Sequence, residues 1–345
     1  MRPRLTVRLG HADAPARLQP VQPDAFELAF DVAERLRANL ETVVRGKGKE
    51  IGLVLTALAC EGHVLFEDVP GTAKTVLARA IAASVEGGTV ARIQCTPDLQ
   101  PADVIGLAIY NQKTRDFEFR PGPIFASIVL LDEINRATPK TQSALLEAMA
   151  ERQVTVEGAT RELPRPFLLL ATENPIEHEG TFFLPEAQLD RFFLRTTLGY
   201  PQGEDELQIV LDQLHGHPLA DVRPVVSVGE VIALQRAVEG VYIDQLVRRW
   251  IVALIRATRE LDMVELGASV RGSLALERAA RARALLSGRD YVVPEDVESL
   301  FGPVIGHRML FAPTFLAGVR KLEGSEVLRR LWENCLELAP RPARR

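Results

Sequence analysis

Cysteine is scarce in this chain: three residues in 345, at Cys60, Cys95 and Cys335. An odd number at wide spacing argues against a disulfide framework and against a Cys-x-x-Cys zinc site, and it fits buried thiols in a reducing cytoplasm. Histidine offers no metal centre either. His215 and His217 fall in a stretch broken by Gly216 and Pro218, and a zinc site needs more ligands than that stretch supplies. No apolar run reaches the ~18 residues of a membrane span, and the amino terminus lacks the unbroken apolar stretch of a secretory signal. Basic charge is not in excess. The net charge is −5, which gives no overall pull toward nucleic acid or an anionic membrane. Residues 1–25 are short of large apolar side chains and rich in proline and arginine, the composition of a flexible arm. The expectation is a cytoplasmic protein with neither a membrane nor a nucleic-acid partner.

What is present is ordinary globular material, 47% hydrophobic and 25% charged, long enough for about two domains. Phe26, Ala29, Val32, Leu36 and Leu40 recur at helical spacing, and a second helix is expected over 49–59. The pattern then changes. Short apolar strands at 63–67, 90–95, 128–131 and 167–171 alternate with helices, notably 74–84 and 140–151. That alternation predicts a parallel sheet covered on both faces. Two segments, 106–120 and 152–164, alternate polar and apolar residues around a polar centre and read as inserted β-hairpins. After Tyr200 the strand signals mostly stop and 204–340 is chiefly helical, with Pro294 and the acids after it marking one helix start. The predicted organisation is an arm (1–25), an α/β domain (26–200) and a helical domain (201–345).

Three strand tips carry chemistry. The first is 63–75, strand, tight loop and helix, close to the phosphate-loop pattern GxxxxGK[ST]. There the loop of Val69, Pro70, Gly71, Thr72 and Ala73 would turn its backbone N–H groups toward a phosphate chain. Lys74 would reach the β- and γ-phosphates, and the Thr75 hydroxyl would take a magnesium ion. The match is imperfect: Asp68 stands at the first glycine position, and Ala73, before the lysine, is tolerated if its φ is negative. The second tip ends the apolar run 128–131 in Asp132 and Glu133. Asp132 would hold magnesium through water and Glu133 would act as general base, although an acidic pair after a strand also serves as a helix cap. The third ends 167–171 in Thr172, Glu173 and Asn174. Asn174 could orient the attacking water, or form only an Asn-Pro turn.

With these residues in view, the chain resembles the AAA+ ATPases, and within them the MoxR family, over about residues 26 to 340. The segments that carry the resemblance are VPGTAKT (69–75), LLDEINRATPKTQSALLEAMAERQVTV (130–156), ATENPIEHEGTFFLPEAQLDRF (171–192) and GASVRGSLALERAARARALLSGRDYVVPEDV (267–297). The resemblance implies a P-loop NTPase fold, with a central parallel sheet sandwiched by helices, two hairpin insertions and a C-terminal helical lid. It implies magnesium-dependent hydrolysis of ATP. It matches Asn174 to the first sensor, Arg191 to an arginine finger acting on the neighbouring subunit's ATP, and Arg271 to a second sensor in the lid. A finger supplied in trans implies a homo-oligomeric ring, in this family a hexamer. Arg136 is a second candidate for the subunit interface. The family further implies chaperone-like maturation of protein clients, often beside a protein with a von Willebrand factor A domain, and contact of the first hairpin, 110–119, with a client. A magnesium-chelatase ATPase subunit and a nucleic-acid motor share this site chemistry and stand as alternatives. Two departures, Asp68 for glycine and Glu173 for the more usual glutamine, are expected to add negative charge near the triphosphate.

Overall fold

The computed structural model describes residues 23–69, 71–174, 180–214, 216–318 and 324–342. The chain opens with helices α1 (Pro23–Glu41) and α2 (Gly48–Ala59), then β1 (Val64–Glu67), α3 (Lys74–Ser84) and β2 (Val90–Gln94). A short α4 (Pro101–Ile105) leads into the hairpin β3 (Gly106–Asn111) and β4 (Asp116–Pro121). Next come β5 (Ile128–Asp132), α5 (Pro139–Glu151), the hairpin β6 (Gln153–Val156) and β7 (Ala159–Glu162), β8 (Leu168–Glu173), α6 (Glu186–Leu189) and β9 (Leu194–Thr196). The rest is mainly helical: α7 (Gly203–Gln213), α8 (Val228–Gly240), α9 (Gln245–Ala257), α10 (Val270–Leu285), α11 (Pro294–Ile305), α12 (Pro313–Gly318) and α13 (Gly324–Leu338), with a short antiparallel pair β10 (Val264–Leu266) and β11 (Leu310–Phe311). No helix among the described residues is long and apolar enough to cross a membrane.

The central sheet has the order β2-β5-β8-β1-β9, every pair parallel. Strand side chains alternate between faces, and the core divides accordingly. Val64, Phe66, Ile128, Leu130, Leu168 and Leu170 point to one side, where α1, α2, α3 and the C-terminal helices pack. Leu65, Val129, Leu131, Leu169 and Ala171 point to the other, against Leu145, Leu146 and Met149 of α5. Both faces being apolar is what makes 128–131 and 167–171 continuous hydrophobic runs. Because the sheet is parallel, all three polar tips emerge along one edge.

The expected hairpins are present as separate two-stranded sheets. They are tied together by the Arg161 guanidinium, 3.9 Å from the centre of the Phe119 ring, which itself packs edge-on against Phe125. Strand β9 was not expected. It is three residues long, pairs only with β1, and contains Arg195 and Thr196, so its sequence carries little strand signal. The first helix begins at Pro23 rather than Phe26; residues 1–22 of the expected arm lie outside the described residues. Cys60, Cys95 and Cys335 are free and buried. Burial pushes each thiol up to about 12, which leaves them inert.

Candidate functional site

Where β1 ends, the chain turns tightly and restarts as α3 at Lys74. Gly71 takes φ +85° with open space around the position its Cβ would occupy, a conformation suited to glycine. Ala73 also sits in the left-handed region, at φ 62° and ψ 16°. The condition for its easy tolerance is therefore not met, and it carries ~1–2 kcal/mol of strain. It gives α3 no side-chain cap, so the first-turn amides lack that competitor for an incoming anion. Pro70 lies outside the described residues.

Asp68 is turned into the loop and braces it. Its carboxylate accepts from Val69 N (2.9 Å), Thr72 Oγ1 (2.8 Å), Leu198 N (2.9 Å) and Gly199 N (3.0 Å). Asp68 does line the phosphate-side cleft, as expected of an acid at that position, and it also holds the loop to the segment after β9. Lys74 Nζ donates to Val69 O (2.7 Å) and Thr72 Oγ1 (2.9 Å), with Asp68 Oδ2 3.9 Å away. Burial lowers the lysine's pKa, while Asp68, Asp132 and Glu133 push it back up.

The tip of β5 faces this loop. Arg92 donates to Asp132 Oδ2 at 2.7 Å, and the Thr172 hydroxyl donates to Asp132 Oδ1 at 3.3 Å. Glu133 is left-handed, at φ 58° and ψ 54°, as strained residues at working sites often are. Its carboxylate accepts from Gln94 Nε2 at 2.9 Å and lies 3.3 Å from Arg136 Nε. Arg136 is therefore engaged with its own chain's acid. Asp68, Gly71, Thr72, Ala73, Lys74, Thr75, Arg92, Gln94, Asp132, Glu133, Thr172 and Asn174 together line one cleft of about 320 Å³.

Glu173 is absent from that lining. It sits between Thr172 and Asn174, so its side chain takes the opposite face, beside its register partner Glu67. Burial, then the Glu67 charge, raise its pKa, opposed by Arg195. The expected extra charge near the phosphates is corrected on both counts: Glu173 is turned away, and its surroundings disfavour ionisation.

Arg191 and Arg271 do not line the cleft. Both are exposed. Arg191 donates to Leu146 O at 2.9 Å, and Arg271 Nη1 lies 3.6 Å from Asp190, the residue before Arg191. Arg271 thus reaches the residue next to Arg191, and neither arginine lines the cleft of its own chain.

Sequence reasoning missed two parts of the site. Arg92 and Gln94 hold the acidic pair from β2, because the β2–β5 register sets Gln94 beside Asp132, and no local pattern in the sequence shows that register. A second cleft of about 380 Å³ shares Gly71, Thr72 and Ala73 and continues over Val43, Val44, Val76, Tyr200, Ile209 and Val210. It gathers the connection between α1 and α2, the loop after β9 and α7, and no local motif announces it.

Known proteins can now be set beside this geometry. The model of the ATPase family associated with various cellular activities (AAA) matches residues 63–194, and the AAA lid domain matches 256–327. The chain is 42% identical to chaperone MoxR1 of Mycobacterium tuberculosis, over 89% of this chain and 84% of that protein. The chain belongs to the MoxR family of AAA+ ATPases. It is 50% identical to the uncharacterized protein YeaC of Bacillus subtilis, over 80% of this chain and 86% of that one. A crystal structure assigned as an ATPase from Cytophaga hutchinsonii superposes with a TM-score of 0.81 at 34% identity, covering 90% of this chain and 96% of the other. Magnesium-chelatase subunits are more distant, for example 28% identical to one from Arabidopsis thaliana over 65% of this chain. This MoxR-family chain is therefore a nucleotide-binding, chaperone-like AAA+ ATPase, with its lid among the C-terminal helices.

Proposed function

We propose that this chain is one subunit of a ring, in the family's manner a hexamer, which uses magnesium-dependent ATP hydrolysis to remodel or mature partner proteins. The observation that carries the reading is the separation of its charged residues. Lys74, Thr75, Asp132, Glu133 and Asn174 share one cleft, while Arg191 and Arg271 stand together elsewhere. A cleft holding phosphates gains from further cations against the charge that develops on the γ-phosphate, and two arginines on another face suit the neighbour's cleft. A head-to-tail contact that closes by rotation gives a ring.

In this reading the loop 69–73, through its free N–H groups, and Lys74 hold the phosphates, and the base enters the apolar cleft lined by Val43, Val44 and Ile209. Thr75 and Asp132 are hard oxygen donors and suit magnesium; Arg92 already pairs with Asp132, a sign that this carboxylate is placed to receive positive charge. When bound, the ion supplies neutralisation of the phosphate oxygens. Among the described residues no cluster of three or more His, Cys, Asp or Glu gathers as a metal cage, and magnesium bound through substrate phosphates requires none. Glu133 takes the proton of the attacking water, which Asn174 orients. Arg191 and Arg271 steady the transition-state charge across the subunit boundary.

The ATPase core is taken as 26–200 and the lid as 201–345. The hairpin β3–β4 is the client contact this reading favours. Tyr110 and Phe117 are 50% and 63% exposed and pack edge-on at 5.4 Å, an aromatic pair held out to solvent. A von Willebrand factor A protein is the co-partner suggested by the family, and a reducing cytoplasm suits the buried free thiols.

The test is steady-state ATPase activity against protein concentration. Activity per subunit should rise steeply with concentration and fall roughly 10³-fold in Arg191→Ala and in Glu133→Gln. Wild-type turnover in Arg191→Ala would leave a self-contained site in place of a ring.

A further inference from the structure

Arg308 ends the 3-10 turn Gly306–Arg308 that follows α11, and its side chain is only 4% exposed. Burying a guanidinium costs several kcal/mol unless its donors are met. Here most of them are met by one distant segment. Nε donates to Asp190 Oδ1 at 2.9 Å, Nη2 to Phe192 O at 2.7 Å and Nη1 to Phe193 O at 3.0 Å. Nη1 also reaches back to Val304 O of the preceding helix, α11. The adjacent His307 adds a second donor to Phe192 O, from Nε2 at 3.0 Å. Burial draws the Arg308 guanidinium down to about 10 while Asp190 raises it, so it stays charged at neutral pH.

The fork therefore grips residues 190, 192 and 193, and Arg191 is the residue enclosed by the grip. Arg191 itself is an exposed residue, and its Nη1 donates to Leu146 O. An apolar contact could join these elements with equal stability; a planar fork on a carboxylate and two carbonyls fixes orientation as well. We propose that Arg308 is a positioning residue for Arg191: it fastens the lid to the 190–193 segment, which Phe193 N also ties to His63 O at the start of the central sheet at 2.9 Å, and so fixes the direction in which Arg191 leaves the surface. This rests on the reading that Arg191 completes a neighbour's site. Arg308 then acts on the next subunit's site through Arg191, without any contact between Arg308 and nucleotide.

The test uses Arg308→Lys, which keeps a charge for Asp190 and gives up the fork to the carbonyls. Its affinity for a fluorescent ATP analogue should stay within about twofold of wild type, because its own cleft is intact, while kcat falls roughly 10- to 100-fold. Mixing it with Glu133→Gln should restore activity, since the second variant supplies a seated finger and the first an intact cleft. Asp190→Asn should behave in the same way and serves if the lysine variant does not fold. Arg191→Ala mixed with Glu133→Gln is the control. If the control recovers but Arg308→Lys turns over like wild type, the positioning role is overturned alone. It is likewise overturned if Arg308→Lys is slow and mixing fails to rescue it. If the control itself does not recover, the trans-acting site falls, and the positioning role with it.

Discussion

Glu173 illustrates how much one strand position can mean. In the sequence it is an acid beside two polar residues at a strand tip. In the fold it lies on the sheet face away from the cleft, with Glu67 of β1 and Arg195 of β9, and Arg195 pairs with Glu67 at 3.3 Å. Its folded pKa lies above the ordinary 4.5, so the folded chain holds the proton more tightly than the unfolded one. Stability contributed by this group is accordingly present at low pH and lost as pH rises from 4.5 through the folded value. Glu173→Gln should therefore raise the melting temperature at pH 7 to 8, with the gain shrinking as pH falls toward 4.5. A gain independent of pH would refute the assignment. Asp68 makes the complementary point: an acid where glycine is usual becomes intelligible once four donors are seen around it.

Among elements, the two hairpins were legible from alternation and turn residues alone, and so was α3, whose predicted and observed limits, Lys74–Ser84, coincide. Their mutual dependence was not. Phe119 joins the hairpins by accepting Arg161 on its face and meeting Phe125 at its edge, pairings worth ~0.5–1.5 kcal/mol each. Phe119→Ala should speed amide exchange in both 106–121 and 153–162 and leave basal ATPase unchanged. Faster exchange confined to the first hairpin would show that they are independent. Strand β9 escaped notice because an edge strand of three residues needs little hydrophobicity, being secured by the ladder to β1.

For the whole molecule, the phosphate loop is attached to distant parts of the chain. Asp68 grips Leu198, 130 positions away, and the apolar cleft next to the loop is walled by the α1–α2 connection, α7 and the loop between β9 and α7. A nucleotide filling both clefts contacts most of these elements, so binding should stabilise the fold globally. With the magnesium salt of a slowly hydrolysed ATP analogue at 100 times its dissociation constant, the unfolding free energy should rise by about 2.7 kcal/mol. Thermal melting reads this directly, and Lys74→Ala should abolish the shift. A stabilised Lys74→Ala would mean that the ligand is held without the phosphate loop.

Sequence by itself determined where the strands end, which polar residues stand at their tips and where the loop's helix begins, because hydrophobic period and motif spacing are local properties. It also sufficed for the family. Tertiary structure alone decided the rest. The left-handed φ of Ala73, the turning away of Glu173, the apolar cleft and the grip of Arg308 on residues 115 to 118 positions earlier all depend on which remote backbone and charge lie opposite each side chain. Burial makes those neighbours matter: a charge removed from water takes its partners from whatever the fold brings near, and no local pattern records which residues those will be.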